Sequence, residues 1–378
     1  MVILFMGAAV LGLIFLQNFL YKRFWQEGFS LNMRFSAKEA FEGDNLFLHQ
    51  DVANKKFLPL PWVLVRYRLS KHLIFDELDE DDAEYKYQST VFSVMMYQGV
   101  RRRLKFHCGK RGFYRLRTVN LTCNNLLHTR RYDRTMFFHS DLTVFPKILD
   151  YNEDMGIIYK TLDAAVLSNS LINPDPFEFK GIREYNPTDP LRNINFKASA
   201  VAQELMVNIY APTASKRLEI VLNFEYYTQY PNFELYEQGI RLAATIATRY
   251  INEDVVVSLY TNGKDLYLGE QIRISGGRSG GHLHSILEAL ARVDTIFSVA
   301  PIAPQLDALT SKDVVYLIIS SYCGEDFMEA LADMKGRGLD YVAVVPYEKG
   351  GEAKPPVETD VLRVWEALCV EEVQDGQA

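Results

Sequence analysis

The sequence predicts an α+β multidomain protein: an N-terminal transmembrane helix, an antiparallel β-sandwich, then an α/β doubly wound domain. Three observations carry this. The chain opens on an apolar run in which Gln17 is the first polar side chain and Lys22 the first charge. Residues 29–150 alternate apolar and polar positions in short segments broken by turn residues. From Arg217 onward, apolar strand-like runs alternate with segments of helical spacing. The pattern divides into an anchor at 1–25, a sandwich at 29–150, a linker at 151–212 and a second domain at 213–378.

At 1.5 Å per residue, about 20 residues cross the ~30 Å hydrocarbon core. A cleaved signal peptide would carry a basic start and a small-residue cleavage site. Here the run begins at Met1 and ends in Phe19, Leu20 and Tyr21. Lys22 and Arg23 follow it, with Phe24 and Trp25 as interfacial aromatics. The positive-inside rule then predicts a single-pass protein of the cell membrane, with residues 1–21 in the bilayer and the soluble domains in the cytoplasm. Cys108, Cys123, Cys323 and Cys369 form no CxxC pair, which speaks against a zinc ribbon or a disulfide-stapled domain and suits a reducing compartment.

Of the 378 residues, 48% are hydrophobic and 24% charged, too apolar a balance for global disorder. Residues 1–150 hold 22 Lys/Arg against 15 Asp/Glu, while 151–378 hold 19 against 33, so the two halves are built for different surroundings. The overall charge of −7 speaks against nucleic acid as a partner. Arg101, Arg102, Arg103 and Lys105 form a basic cluster read first as a strand face, and residues 76–84 an acidic run read as a solvated loop. Alternation at Leu31, Met33 and Phe35, at Val63, Val65 and Tyr67, and in 90–97, 103–108, 113–119 and 143–145 predicts the sandwich strands.

Residues 179–200 read FKGIREYNPTDPLRNINFKASA. Pro187 presets a turn, Asp189 caps it, and Arg183, Arg192 and Lys197 supply cations for an anionic partner or for an internal ion pair such as Arg183 with Asp189. The segment closely resembles the signature of the domain of unknown function 58 (DUF 58) family: an Arg-x-Tyr, a Pro-Gly-Asp turn, an Arg, an Ile-Asn-Trp-Lys run and a Ser-Ala. Arg183, Tyr185, Pro187, Asp189, Arg192, Ile194, Asn195, Lys197, Ser199 and Ala200 match it. Thr188 replaces the turn Gly and Phe196 the Trp. Upstream, residues 110–114 resemble the family's Arg-Gly-x-Tyr strand and 144–146 its Val-x-Pro.

Further on, strands are expected at 218–224, 255–260, 314–319 and 341–345, and helices at 233–251, 283–293, 325–335 and 361–370. Apolar strands alternating with helices indicate a parallel sheet. The order resembles a von Willebrand factor type A domain, which the DUF 58 resemblance implies here. Such domains often hold a divalent ion on an Asp-x-Ser-x-Ser loop. The matching positions are Asn223, Glu225 and Tyr227, with Ser279 and Ser321 near the remaining ligand places. An amide and a phenol are poor ligands for a hard cation, so a degenerate site without a functional metal is expected. Residues 277–281 fit G-x-S-x-G, yet only His282 and His284 follow Ser279, where a nucleophile elbow needs its base far downstream. No catalytic residue and no cofactor is expected.

The resemblance implies partnership with a MoxR-type AAA ATPase in assembling or remodelling envelope complexes, together with other membrane proteins. It also implies two N-terminal spans, where this sequence shows one. The expected partner-binding residues are Arg183, Tyr185, Asp189, Arg192, Asn195 and Lys197. The competing expectations are a nucleotide-independent envelope scaffold and metal-dependent ligand binding at the second domain.

Overall fold

Helix α1, Val2–Phe24, has apolar side chains on every face up to Leu16, as a helix in lipid requires, and Leu4–Phe24 is long and apolar enough to cross a membrane. The computed structural model describes residues 2–75, 85–172, 174–187, 189–212, 216–226, 232–295, 299–347 and 362–366. The acidic run 76–84 and Tyr227 lie outside them. The chain divides into two compact units, Met1–Lys147 and Ile148–Ala378.

In the first unit, β1 (Phe29–Phe35), β3 (Asn45–Asn54), β5 (Leu73–Phe75) and β7 (Gly99–Cys108) form one antiparallel sheet in the order β1-β3-β7-β5. A second sheet runs β2-β9-β8-β4-β6, from β2 (Glu39–Phe41), β4 (Leu60–Ser70), β6 (Tyr85–Val94), β8 (Gly112–Asn124) and β9 (Arg131–Phe145). The alternation has its cause in the core. Phe29, Leu31, Met33 and Phe35 all point inward from β1, and they share one cluster with Val63, Val65, Leu116 and Leu121 of the other sheet. Burying side chains on one face of a pleated strand makes the period two. One pairing departs from the antiparallel expectation: β2 runs parallel to β9, with Glu39 opposite Thr143. Arg101, Arg103 and Lys105 stand exposed on one face of β7, and Arg102 is exposed on the face that buries Leu104 and Phe106. Tyr21 and Trp25, at the end of α1, belong to this same core.

In the second unit a linker was expected over 151–212, and the structure has folded elements there. Helix α2 (Glu153–Ile172) buries Met155, Ile158, Tyr159, Leu162 and Val166, a stripe at helical spacing. Strands β10 (Pro174–Glu184) and β11 (Met206–Pro212) pair antiparallel, and between them lie a 3₁₀ turn, Leu191–Asn193, and helix α3 (Phe196–Ala202).

The main sheet has the order β14-β13-β12-β16-β17-β18. Its strands are β12 (Arg217–Asn223), β13 (Val256–Asp265), β14 (Gln271–Gly277), β16 (Val315–Ser320), β17 (Tyr341–Tyr347) and β18 (Leu362–Glu366), with a short β15 (Val293–Asp294) beside β13. Strands β13, β12, β16, β17 and β18 are parallel neighbours, and β14 is the antiparallel edge. Helices α4 (Phe233–Asn252) and α5 (Gly280–Arg292) pack on one face, and α2 joins them through Arg249 to Asp163 at 3.0 Å. On the other face α6 (Ala303–Asp307) and α7 (Glu325–Gly336) bury Leu306, Phe327, Leu331 and Met334 against Val221, Tyr316 and Ile318. The helix expected at 361–370 is corrected within its described part: Leu362–Glu366 is a strand that buries Leu362 and Trp365 beside β17. A short apolar stretch cannot be assigned by periodicity alone.

Candidate functional site

The signature segment is built from a turn and a short helix laid beside the β10–β11 ribbon. Asp189 N donates to Asn186 O at 2.8 Å, which closes the turn. Asn186 N donates to Asp189 Oδ2 at 2.9 Å. The Arg183 guanidinium then grips both Asp189 oxygens, each at 2.6 Å, and also donates to Glu184 O at 2.9 Å. Those bonds hold the Asp189 carboxyl below the usual carboxylate range, with the Arg183 hydrogen bonds as the main cause. Asn195 caps α3, accepting from Ala198 N at 2.9 Å, and its amide donates to Asn208 Oδ1 on β11 at 2.8 Å. Tyr185 N donates to Leu205 O at 2.8 Å. Four of the six expected partner-binding residues thus brace the segment through side chain or backbone.

The other two face solvent. Arg192 in the 3₁₀ turn and Lys197 in α3 are exposed, and among the described residues no carboxylate pairs with either. In the same segment Leu191 is 70% exposed, Phe196 76% and Val201 84%. Sequence reasoning took the cations and passed over this apolar surface. Its signal was present in the run Leu191, Phe196, Val201, which no helical or strand period places in a core.

A second cluster lies at the C-terminal ends of β12, β13 and β16. The parallel register brings Asn223 opposite Ser320, and Asn262 on β13 follows the residues paired with β12. Asn223 Nδ2 donates to Ser320 Oγ at 2.9 Å. Asn223 Oδ1 accepts from Asn262 Nδ2 at 2.7 Å and from Glu225 N at 3.0 Å. Asn262 Oδ1 accepts from Phe224 N at 3.0 Å. Ser320 Oγ donates in turn to Tyr322 O at 2.7 Å. Asn223, Asn262 and Ser320 are all buried. Glu225 sits half-buried at the rim and accepts from Ile302 N at 3.0 Å. Burial pushes its carboxyl up, and the Ile302 and Asn223 hydrogen bonds oppose that shift.

The other expected metal-site positions do not gather here. Because β14 runs antiparallel, its Gly277 lies opposite Val257, near the start of β13. Ser279 is therefore at the far edge of the sheet from Asn223. There its hydroxyl caps α5, accepting from His282 N at 3.2 Å, while His282 Nε2 lies 2.7 Å from Val257 O. Ser320 rather than Ser321 is the serine that engages Asn223. Asn262 and Ser320 escaped sequence reasoning, since only strand register makes them neighbours of Asn223. Among the described residues no group of three or more His, Cys, Asp or Glu side chains converges as a metal cluster would.

No family model matches this chain, and no curated protein matches it. Among solved structures, the C-terminal domain of wzt is similar over 33% of this chain and 78% of its own, at 12% identity and a TM-score of 0.24. The sporulation control protein Spo0M from Bacillus subtilis covers 42% of this chain and 58% of its own, at 9% identity and a TM-score of 0.19. A β-glucosidase from Listeria innocua covers 32% of this chain and 17% of its own, at 9% identity and a TM-score of 0.20. Likeness at that level carries no argument about fold or activity.

Proposed function

We propose that this chain is a membrane-anchored, non-catalytic interaction protein of the DUF 58 type, which docks a MoxR-type AAA ATPase in the assembly or remodelling of envelope complexes. One observation carries the docking reading: Leu191, Phe196 and Val201 are left exposed beside the cations Arg192 and Lys197. An apolar centre with charged neighbours is the composition of a partner surface. Arg183, Asp189 and Asn195 are held by hydrogen bonds within the segment.

Other features agree with the finer parts of this reading. The order β14-β13-β12-β16-β17-β18 with one antiparallel edge, and helices on both faces, is consistent with a von Willebrand A-like domain. Two sheets around a common core are consistent with a β-sandwich. Tyr21 and Trp25 are core residues of the first unit, which favours a retained anchor, because cleavage after the apolar run would cut into that core. Lys22 and Arg23 favour a cytoplasmic placement of both units. At the sheet edge, the Asn223 amide nitrogen points at Ser320 Oγ, an arrangement suited to bracing and ill suited to a cation.

The test is a crosslinked recovery from solubilised membranes, with and without ATP, of wild type and of Arg192→Glu/Lys197→Glu. Loss of a nucleotide-dependent ATPase in the double variant is the expected result. Unchanged recovery in a folded double variant contradicts the docking surface.

A further inference from the structure

The end of the first unit from which α1 departs carries a surface that the docking reading does not use. Three loops meet there: residues 55–59 between β3 and β4, 95–98 between β6 and β7, and 125–130 between β8 and β9. Register places them together, with Leu60 opposite Val94, Ala53 opposite Gly99 and Val63 opposite Cys123. Hydrogen bonds tie them to the helix. Tyr21 OH donates to Pro59 O at 2.6 Å, and Lys56 Nζ to Trp25 O at 2.8 Å. Asn125 Nδ2 donates to Asn18 Oδ1 at 2.7 Å, and Tyr132 OH to Asn18 O at 3.1 Å. Tyr97 N donates to Lys56 O at 3.2 Å and joins two of the loops. The tips of these loops are nonetheless apolar and exposed: Phe57 at 72%, Tyr97 at 72% and Leu127 at 56%, with Met96 and Leu126 beside them.

We propose that this loop end is a lipid-contact surface: Phe57, Met96, Tyr97, Leu126 and Leu127 enter the interfacial layer of the bilayer that α1 crosses. The proposal rests on reading α1 as a membrane span. Depth is the first argument. About 20 residues are needed to cross ~30 Å, which takes the apolar run to the neighbourhood of Tyr21. Gln17 and Asn18 then lie within roughly one helical turn of the hydrocarbon edge. Loop 125–130 stands beside them. In the orientation that satisfies both ends of its amide, Gln17 accepts from Leu126 N at 3.0 Å, Leu127 N at 3.1 Å and Asn125 Nδ2 at 3.2 Å. Leu126 and Leu127 are thus held at the level of the span's own last turns.

Polar satisfaction is the second argument. An amide near hydrocarbon is costly unless paired, and this loop supplies the partners of both Gln17 and Asn18. Composition is the third. Aromatic and aliphatic tips suit the interface, and Lys22, Lys55 and Arg130 stand exposed at the same end. The acidic groups there are committed, Glu27 to Arg23 and Asp133 to Arg131. That charge favours anionic headgroups.

The test uses the full chain in vesicles of phosphatidylcholine and phosphatidylglycerol. Cys323 and Cys369 are changed to Ser. Cys108 and Cys123 stay, because burial pushes their thiols up to about 12 and leaves them unreactive. Single variants Phe57→Cys, Met96→Cys and Leu127→Cys carry an environment-sensitive dye, quenched by lipids with a doxyl group near the carbonyl end of the acyl chain. Leu11→Cys reports on the span. Ile74→Cys reports on the opposite end of the unit, where Leu73 pairs with Cys108. The expected result is several-fold stronger quenching at Leu11, Phe57, Met96 and Leu127 than at Ile74. Quenching at Leu11 with loop probes no stronger than Ile74 overturns the lipid contact and leaves the span intact. Absence of quenching at Leu11, with the protein stripped by carbonate, overturns the span and the loop contact together.

Discussion

Asn223→Ala removes one buried amide and takes the acceptor from Glu225 N, while Ser320 Oγ keeps Tyr322 and Asn262 Nδ2 keeps Ala300 O. Each unsatisfied buried group costs about 1–3 kcal/mol, so a fall of at least that size is expected in the urea unfolding free energy of the second unit. Asn223→Asp is expected to do worse at neutral pH than in acid. A carboxylate has no proton for Ser320, whose own is donated to Tyr322 O. Added millimolar Mg²⁺ is expected not to raise the melting temperature of wild type. A Mg²⁺ shift lost in Glu225→Ala would revive the metal reading. Glu225 has its own pH signature. Burial raises its carboxyl, so the folded state disfavours the ionised form. Its penalty is absent below the ordinary carboxylate value and complete once the pH passes the raised one. Glu225→Gln is therefore expected to raise the melting temperature at neutral pH, with a gain that vanishes in acid. A gain that persists unchanged in acid would contradict this cause.

The last turn of α1 is the element whose role is most open to direct test. Tyr21 and Trp25 are almost wholly buried with Phe29, Leu31 and Val63. Removing a large aromatic from a core costs about 3–5 kcal/mol, and Trp25→Ala is expected to destabilise the first unit by that much. Leu11→Ala, exposed on the free part of the helix, is expected to leave chemical unfolding unchanged. Equal effects of the two would contradict the split between span and core. The turn at 186–189 answers to pH in the opposite sense to Glu225. The Asp189 carboxyl is depressed, so its support is present above the ordinary carboxylate value and is lost as pH falls through the depressed one. Faster amide exchange at Asn186 in strong acid and in Asp189→Asn is the expected readout.

These elements also show what one sequence can reveal. The period-two pattern of β1 is legible because one face of the strand is spent on a core. Helix α2 carries an apolar stripe at helical spacing, Met155, Ile158, Tyr159, Leu162 and Val166, so its burial too has a sequence signal. Leu362 and Trp365 of β18, three apart, fit a helix as well as an edge strand. The reversed direction of β14 had no local signal, so Ser279 was placed with Asn223 although it caps a helix at the other edge. Asn262 and Ser320 could be joined to Asn223 only through register.

At the scale of the whole molecule, charge and surface divide the labour. The basic N-terminal part carries the apolar helix α1 and the apolar loop tips, and the acidic remainder carries the exposed segment around Arg192 and Lys197. In the proposed function, Leu191, Arg192, Phe196, Lys197 and Val201 form a docking face for an ATPase. The most direct test replaces Phe196 by a photocrosslinking amino acid in the full chain and irradiates native membranes with and without ATP. A covalent adduct with an AAA ATPase whose yield changes with nucleotide, and which is lost in Arg192→Glu/Lys197→Glu, is the predicted result. The absence of any such adduct from Phe196, while the same ATPase crosslinks elsewhere on the chain or only nucleotide-insensitive membrane proteins are recovered, would contradict it.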